Sequence, residues 1–163
     1  MKYLSIDVGT KNLAIVSYDT EFQDITTNLH NIDQYTTHAT INDLVHVLQQ
    51  YEEPDVVLLE QQTPKNTKCF GLMYAIATYY HGTTVKIINP REKFKKLNIS
   101  YSTKNKAHKK LSVQVATYFM KKLFDQDLPP EITKCDDIAY AYLQLHTFMD
   151  GETEVPESRC SVE

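Results

Sequence analysis

The stretch from residue 2 to residue 18, KYLSIDVGTKNLAIVSY, constrains this chain more than any other. Leu4, Ile6 and Val8 alternate with Tyr3 and Ser5, and Leu13, Ile15 and Val16 resume after a GTKN turn. That is the two-residue period of strands joined as a hairpin. One acid, Asp7, stands at the end of a strand that should be apolar. A carboxylate there needs a partner, because an unpaired buried charge is costly and otherwise neutralises through a pKa shift. The turn by itself leaves two readings open: a bound metal ion, or hydrogen bonds from the backbone of Gly9, Thr10 and Lys11.

Further along, 24–33 predicts a third strand with Ile25, Leu29 and Ile32 inward, completing an antiparallel meander. Thr40 reads as the N-cap of a helix over 40–51, with Ile41, Leu44, Val45, Leu48 and Tyr51 on one stripe and His46 outside it. The run Val56, Val57, Leu58, Leu59 is continuously apolar, as in a strand covered on both faces, and it ends in Glu60. A helix over about 66–81 carries Phe70, Met73, Ala77 and Tyr80 along one side and stops at Gly82. Its near-continuous apolarity implies burial or a second subunit. The strand 83–90 closes at Pro90, and 91–103 reads as a basic loop in which Phe94, Leu97, Ile99 and Tyr101 interleave with lysines.

A helix over about 104–124 has two apolar seams: Val113, Ala116, Met120, Leu123 and Phe124, and Leu111, Val115, Tyr118 and Phe119. Two seams need two things to pack on, its own sheet and a partner subunit. Beyond the DLPPEIT break at Pro129–Pro130, a last helix over about 134–149 turns Ile138, Ala141, Tyr142, Leu145 and Met149 inward. That periodicity sets Asp137 at the edge of the buried stripe and Asp136 nearly opposite. The tail 150–163 is acidic and without period, and reads as disordered.

With 163 residues, 42% of them hydrophobic, the chain predicts one domain over 1–149. A chain of that size buries about 70% of its unfolded surface without staples. No apolar run reaches membrane length and the start is already strand, so the expectation is a soluble intracellular protein with neither signal peptide nor anchor. Cys69, Cys135 and Cys160 fit no zinc spacing. The net charge of −4 hides a segregation: eleven bases against one acid between Lys86 and Lys122, then ten acids against two bases after Leu123. A basic block inside an acidic chain suggests a polyanion-binding face beside a cation-binding pocket. A solvated lysine-rich surface is the bland alternative.

Acids recur at matched places: Asp7 and Glu60 at strand ends, Asp136 and Asp137 opening the last helix. The carboxyl ends of strands in such sheets are where sites are built. Carboxylates hold Mg²⁺ or Mn²⁺, and two ions about 3.5–4 Å apart activate water for in-line phosphodiester cleavage. A nearby lysine stabilises the developing charge.

The segments IDVGTKN (6–12), VVLLEQQ (56–62), KNKAHKKLSV (104–113) and KCDDIAYAYLQ (134–144) together resemble the Holliday junction resolvases of the RuvC branch of the RNase H-like superfamily, and most of all the poxvirus members. The resemblance runs nearly to Met149. It implies an α/β, RNase H-like fold: a mixed five-stranded sheet, an antiparallel three-strand meander plus two parallel strands, flanked by helices. It further implies a dimer that binds four-way DNA junctions and nicks opposed strands with two Mg²⁺ or Mn²⁺ ions. In poxviruses the setting is the resolution of genome concatemers in the host cytoplasm. Carried over, Asp7 and Glu60 match metal ligands, the Asp136–Asp137 pair matches the penultimate acid, and one of Lys106, Lys109 or Lys110 matches the active-site lysine. The DNA-binding set expected with them is Lys11, Lys65, Lys93, Lys95, Lys96, Lys104, Lys106, Lys109 and Lys110.

One position departs. The family commonly has an acid three residues after Asp137, and here it is Tyr140. Asp136 substitutes for it, or three carboxylates suffice, or catalysis is impaired. The last account makes the chain an RNase H-fold protein that binds branched nucleic acid with weak or no cleavage. A sugar-kinase or actin-like ATPase shares the opening hairpin, but four glycines in the whole chain leave no room for its nucleotide loops.

Overall fold

The computed structural model describes residues 1–51, 53–97, 105–128 and 135–150, the side chains of 105–107 excepted. The expected tail beyond Asp150 and the Pro129–Pro130 break lie outside the described residues. In chain order the elements are β1 (Lys2–Asp7), β2 (Leu13–Asp19), β3 (Asp24–His30), α1 (Thr37–Leu48), β4 (Val56–Glu60), α2 (Thr67–Tyr79), β5 (Thr84–Ile88), α3 (Pro90–Lys96), α4 (Asn105–Phe124) and α5 (Cys135–Asp150). The five strands form one sheet in the order β3-β2-β1-β4-β5. β1–β2 and β2–β3 are antiparallel, whereas β1–β4 and β4–β5 are parallel. This is the meander plus two parallel strands that the resemblance implies.

Both faces of the sheet are covered. Leu4, Ile6, Leu13, Ile15, Val57 and Leu59 meet α1 and α2 through Leu44, Leu48, Leu72, Met73 and Ile76. Tyr3, Ala14, Val16 and Leu58 face the other way, onto Ala116 and Met120 of α4 and Ile138, Ala141, Tyr142 and Leu145 of α5. The alternation along β1 is therefore not inside against outside but one core against another. Ser5, which the alternation alone would send to solvent, is 0% exposed. Its hydroxyl donates to the Ala141 carbonyl at 2.7 Å and accepts from Gln144 Nε2 at 3.1 Å. That pair of bonds ties the central strand to α5, whose burial runs almost all the way round from Ile138 to Thr147.

Several local expectations are corrected. The N-cap of α1 is Thr36, which accepts from Ala39 N, because Thr40 sits one turn in and bonds back to the Thr36 carbonyl at 3.1 Å. β3 ends at His30, and Ile32 reaches the core from beyond the strand. α2 is not buried all round: Tyr74 is 53% exposed. Gly82 lies two residues past the C-cap at Tyr80, and among the described residues no glycine has positive φ. Pro90 begins a helix rather than only ending a strand, since Asn89 caps α3 by accepting from Arg91 N at 3.0 Å and proline suits the first helical turn. Residues 91–96 of the expected basic loop are thus helical, and 98–103 lie outside the described residues. The first seam of α4 is an internal one, with Met120 only 1% exposed. A charge at Met120 would break this chain's own core, so that position cannot test for a partner.

Replacing Ser5 by alanine leaves the Gln144 amide and the Ala141 carbonyl without their buried partner. We expect a loss of roughly 1–3 kcal/mol, read as a lower urea midpoint at unchanged slope. An unchanged midpoint would show that this tie does not hold α5 to the sheet.

Candidate active site

β1 and β4 run side by side in parallel with Ile6 opposite Leu59, so the next residues, Asp7 and Glu60, end the two strands together at the sheet's carboxyl end. The turn after Asp7 is tight. A side chain at Gly9 would put its Cβ 2.6 Å from the Asn12 carbonyl oxygen, so only glycine lets the backbone close there. The turn is tied in place by Ile32 N donating to the Thr10 carbonyl at 2.8 Å.

Asp7 keeps some exposed surface, but its carboxyl is hemmed in by protein. Burial pushes its pKa well above the usual carboxylate range, and the charges of Glu60, Asp137 and Asp136 push it further, with only Lys93 opposing. Asp137 weighs on Asp7 more than Asp136 does. The first turn of α5 therefore overhangs the strand ends from the opposite layer, as the Ser5 tie requires.

Two lysines enter the cluster. Lys93, on α3, is 1% exposed and its Nζ lies 2.9 Å from Glu60 Oε2. It was expected as a surface contact to DNA backbone; the helix that replaces the basic loop turns this side chain inward instead. Lys109, on α4 and half exposed, donates to Asp136 Oδ2, and this hydrogen bond raises its pKa. The Tyr140 ring lies one turn after Asp137, 4.7 Å below Lys93 Nζ. The ring stands edge-on to Phe94 at 6.1 Å, and the hydroxyl shares a hydrogen bond with Ser112. Burial raises the Tyr140 pKa, so it stays a neutral phenol.

The remaining lysines are spread around the cluster. Lys11, Lys65, Lys95, Lys96 and Lys110 are exposed, Lys96 also donating to the Thr147 carbonyl at 3.0 Å. Lys104 and the side chain of Lys106 lie outside the described residues. Sequence reasoning missed Lys93 as a member of the cluster and Ser5 as its anchor. The Asn89–Pro90 pair, a cap followed by a first-turn proline, was the signal that 91–96 could be helical.

The donor set is hard oxygen, which suits Mg²⁺ or Mn²⁺, and the negative surroundings of Asp7 call for a cation. Among the described residues, however, no three His, Cys, Asp or Glu side chains are gathered closely enough to hold an ion as they stand. Like charges spread apart, and Glu60 and Asp136 have turned to ammonium groups.

A family model described as Poxvirus A22 protein matches residues 1–149. In structure the chain is similar to the fowlpox virus resolvase in complex with substrate Holliday junction DNA, at 24% identity over 94% of this chain and 99% of that one, with a TM-score of 0.73. It is also similar to the fowlpox virus Holliday junction resolvase at 23% identity, 93% and 99% coverage and TM-score 0.69. Thermus thermophilus RuvC matches at 15% identity, 94% and 98% coverage and TM-score 0.55. At such identities these likenesses establish the RuvC-like, RNase H-like fold. No curated protein matches the chain.

The raised Asp7 pKa has a consequence for stability. A carboxyl that holds its proton more tightly folded than unfolded contributes fully below its unfolded pKa and loses that contribution as pH rises toward the folded one. Without divalent ions, ionised Asp7 therefore costs stability at neutral pH. In chelator, the Asp7→Asn variant should melt above the unmodified chain at pH 7 and converge with it near pH 4, where about 1 kcal/mol corresponds to roughly 2–4 °C. Parallel melting curves across that range would refute the charge strain.

Proposed function

Since the chain belongs to the Poxvirus A22 protein family, we propose that it is a metal-dependent, structure-selective endonuclease that binds four-way and other branched DNA junctions as a dimer and nicks opposed strands. The observation that carries this is the set of carboxylates, Asp7, Glu60, Asp137 and Asp136, brought near one another at the carboxyl end of the sheet. Asp7, Glu60 and Asp137 are the residues that would hold Mg²⁺ or Mn²⁺, which would supply an activated water and positive charge for the phosphate. Asp7 is the anchor, because its desolvated carboxyl gains most from a cation. Lys109 holds Asp136 aside and, with Lys110 beside it, offers positive charge to the developing phosphate. Exposed Lys11, Lys65, Lys95 and Lys96 neutralise neighbouring phosphates.

The dimer reading rests on the outer seam of α4, where Leu111 is 39% and Tyr118 56% exposed. Exposed apolar side chains on one helix face suit a second copy of the chain. Among the described residues no helix is long and apolar enough to cross a membrane. The biological setting we infer is resolution of replicated viral genome concatemers in the host cytoplasm.

The second reading, a binder of branched nucleic acid with weak or no catalysis, is favoured by one observation: Tyr140 offers a phenol ring where the family commonly has an acid. A labelled four-way junction with Mn²⁺ separates the two. Symmetric nicks support the nuclease, and a shifted but intact junction supports the binder.

Asp7→Asn should reduce metal-dependent cleavage by about 100-fold or more while leaving junction affinity nearly unchanged in a gel-shift assay. Retained cleavage would dismiss Asp7 as the anchor. Light scattering should give twice the chain mass, and Tyr118→Glu should give the monomer without loss of helix content. A monomeric unmodified chain at micromolar concentration rejects the dimer.

A further inference from the structure

The loop between β3 and α1 presents an aromatic ring to solvent. Tyr35 is fully exposed, yet the backbone around it is pinned. Ile32 is buried in the core, and its N–H donates to the Thr10 carbonyl at 2.8 Å. Gln34 N donates to Thr40 Oγ1 at 3.3 Å, and the Gln34 side-chain amide donates to Asp43. A ring left in water on a stem held this firmly adds little to the fold and is placed to stack on something else.

Tyr35 is one wall of a cleft of about 420 Å³ between the first turns of α1 and α2, lined also by Thr10, Gln34, Thr40, Thr67, Lys68 and Gly71. Hydroxyl, amide and ammonium groups face it, and no acid is among the described residues of its lining. Lys68, exposed and 3.5 Å from Asp33, stands at the rim, and Lys11 and Lys65 are exposed next to it in the chain. Gly71 adds a second sign. It lies inside α2 without positive φ, and a Cβ there would meet nothing within 4 Å. Glycine is a poor helix residue, so neither backbone nor packing among the described residues calls for it. Its missing side chain keeps that wall of the cleft open to close approach by a molecule from outside.

The cleft adjoins the carboxylate cluster through Thr10, three residues after Asp7, whose carbonyl holds Ile32, three residues before Tyr35. Each of these legs spans at most roughly 11 Å. The ring is therefore within a few nucleotides of a phosphate placed at Asp7. An exposed aromatic beside hydroxyls and lysines is the equipment that holds an unpaired nucleotide, the base on the ring and the backbone on the donors.

We propose that this cleft takes one unstacked nucleotide of a branched DNA strand, its base on the Tyr35 ring and its sugar and phosphate along Thr67, Lys68 and Gly71. The inference rests on the junction-binding reading above and deepens it. A nucleotide free to leave its stack occurs where strands cross and not within a linear duplex, so the cleft makes the chain prefer branched DNA.

The test compares the affinity of the full chain, in chelator, for a labelled four-way junction and for a linear duplex of the same sequence. Tyr35→Ala should weaken junction binding about 5- to 150-fold, the loss of one stacked base, and leave duplex binding unchanged, whereas Tyr35→Phe keeps both. Gly71→Leu, which fills the cleft, should weaken junction binding alone. Iodouracil beside the crossing point should photocross-link to Tyr35, identified by mass spectrometry of the peptide. Equal affinity of Tyr35→Ala and the unmodified chain, an equal loss on both DNAs, or cross-links that avoid Tyr35 would overturn the inference and leave the nuclease reading standing. An unmodified chain that binds no junction would overturn both. A fall in chain mass by light scattering alongside the lost affinity would assign the cleft to a second copy of the chain and also overturn it. Should Gly71→Leu not fold, the Tyr35 variants decide the matter, since that side chain lies wholly outside the core.

Discussion

The pairing of β1 with β4 forces two carboxylates, Asp7 and Glu60, out of the same end of a sheet buried on both sides. Like charges in a poorly solvated place raise each other's energy, and the raised pKa of Asp7 records it. Much of the surrounding structure answers that constraint. Lys93 comes in from α3 to Glu60, Lys109 from α4 to Asp136, and the turn at Gly9 closes tightly enough to leave Asp7 facing the cluster. The cluster is built to receive positive charge, and the lysines supply part of it from within the chain.

The sheet itself makes this arrangement possible. Because α1 and α2 cover one face and α4 and α5 the other, residues on both sides of β1 are buried, and its end lies between the two layers. Ser5 links the layers through α5, so the helix that brings Asp137 is held to the strand that brings Asp7. Stability and the site therefore share a part. The same layering leaves Leu111 and Tyr118 exposed on α4, the helix whose first turns carry Lys109 and Lys110.

Tyr140 and Lys93 belong to one substitution in physical terms. An acid at 140 would face Lys93 across a short gap; the phenol ring meets it instead with its electron-rich face and holds its own hydroxyl on Ser112.

The alternating Leu4, Ile6, Val8 pattern, the continuous run before Glu60 and the helical stripes of α1 and α5 were readable from the sequence, because each depends only on neighbours a few residues apart. So were the acids at the strand ends and the likeness that ordered them. Whether Lys93 meets a phosphate or Glu60, 33 residues away, was not readable. That depends on which face a helix of seven residues turns toward α5, a choice made by Phe94 packing on His108 and Tyr140 from two other helices. Likewise the period of β1 showed that Ser5 and Leu4 point opposite ways, but only the second helical layer decided that both are inside. Local repetition determined the elements and named the acids; long-range burial decided which charges they face.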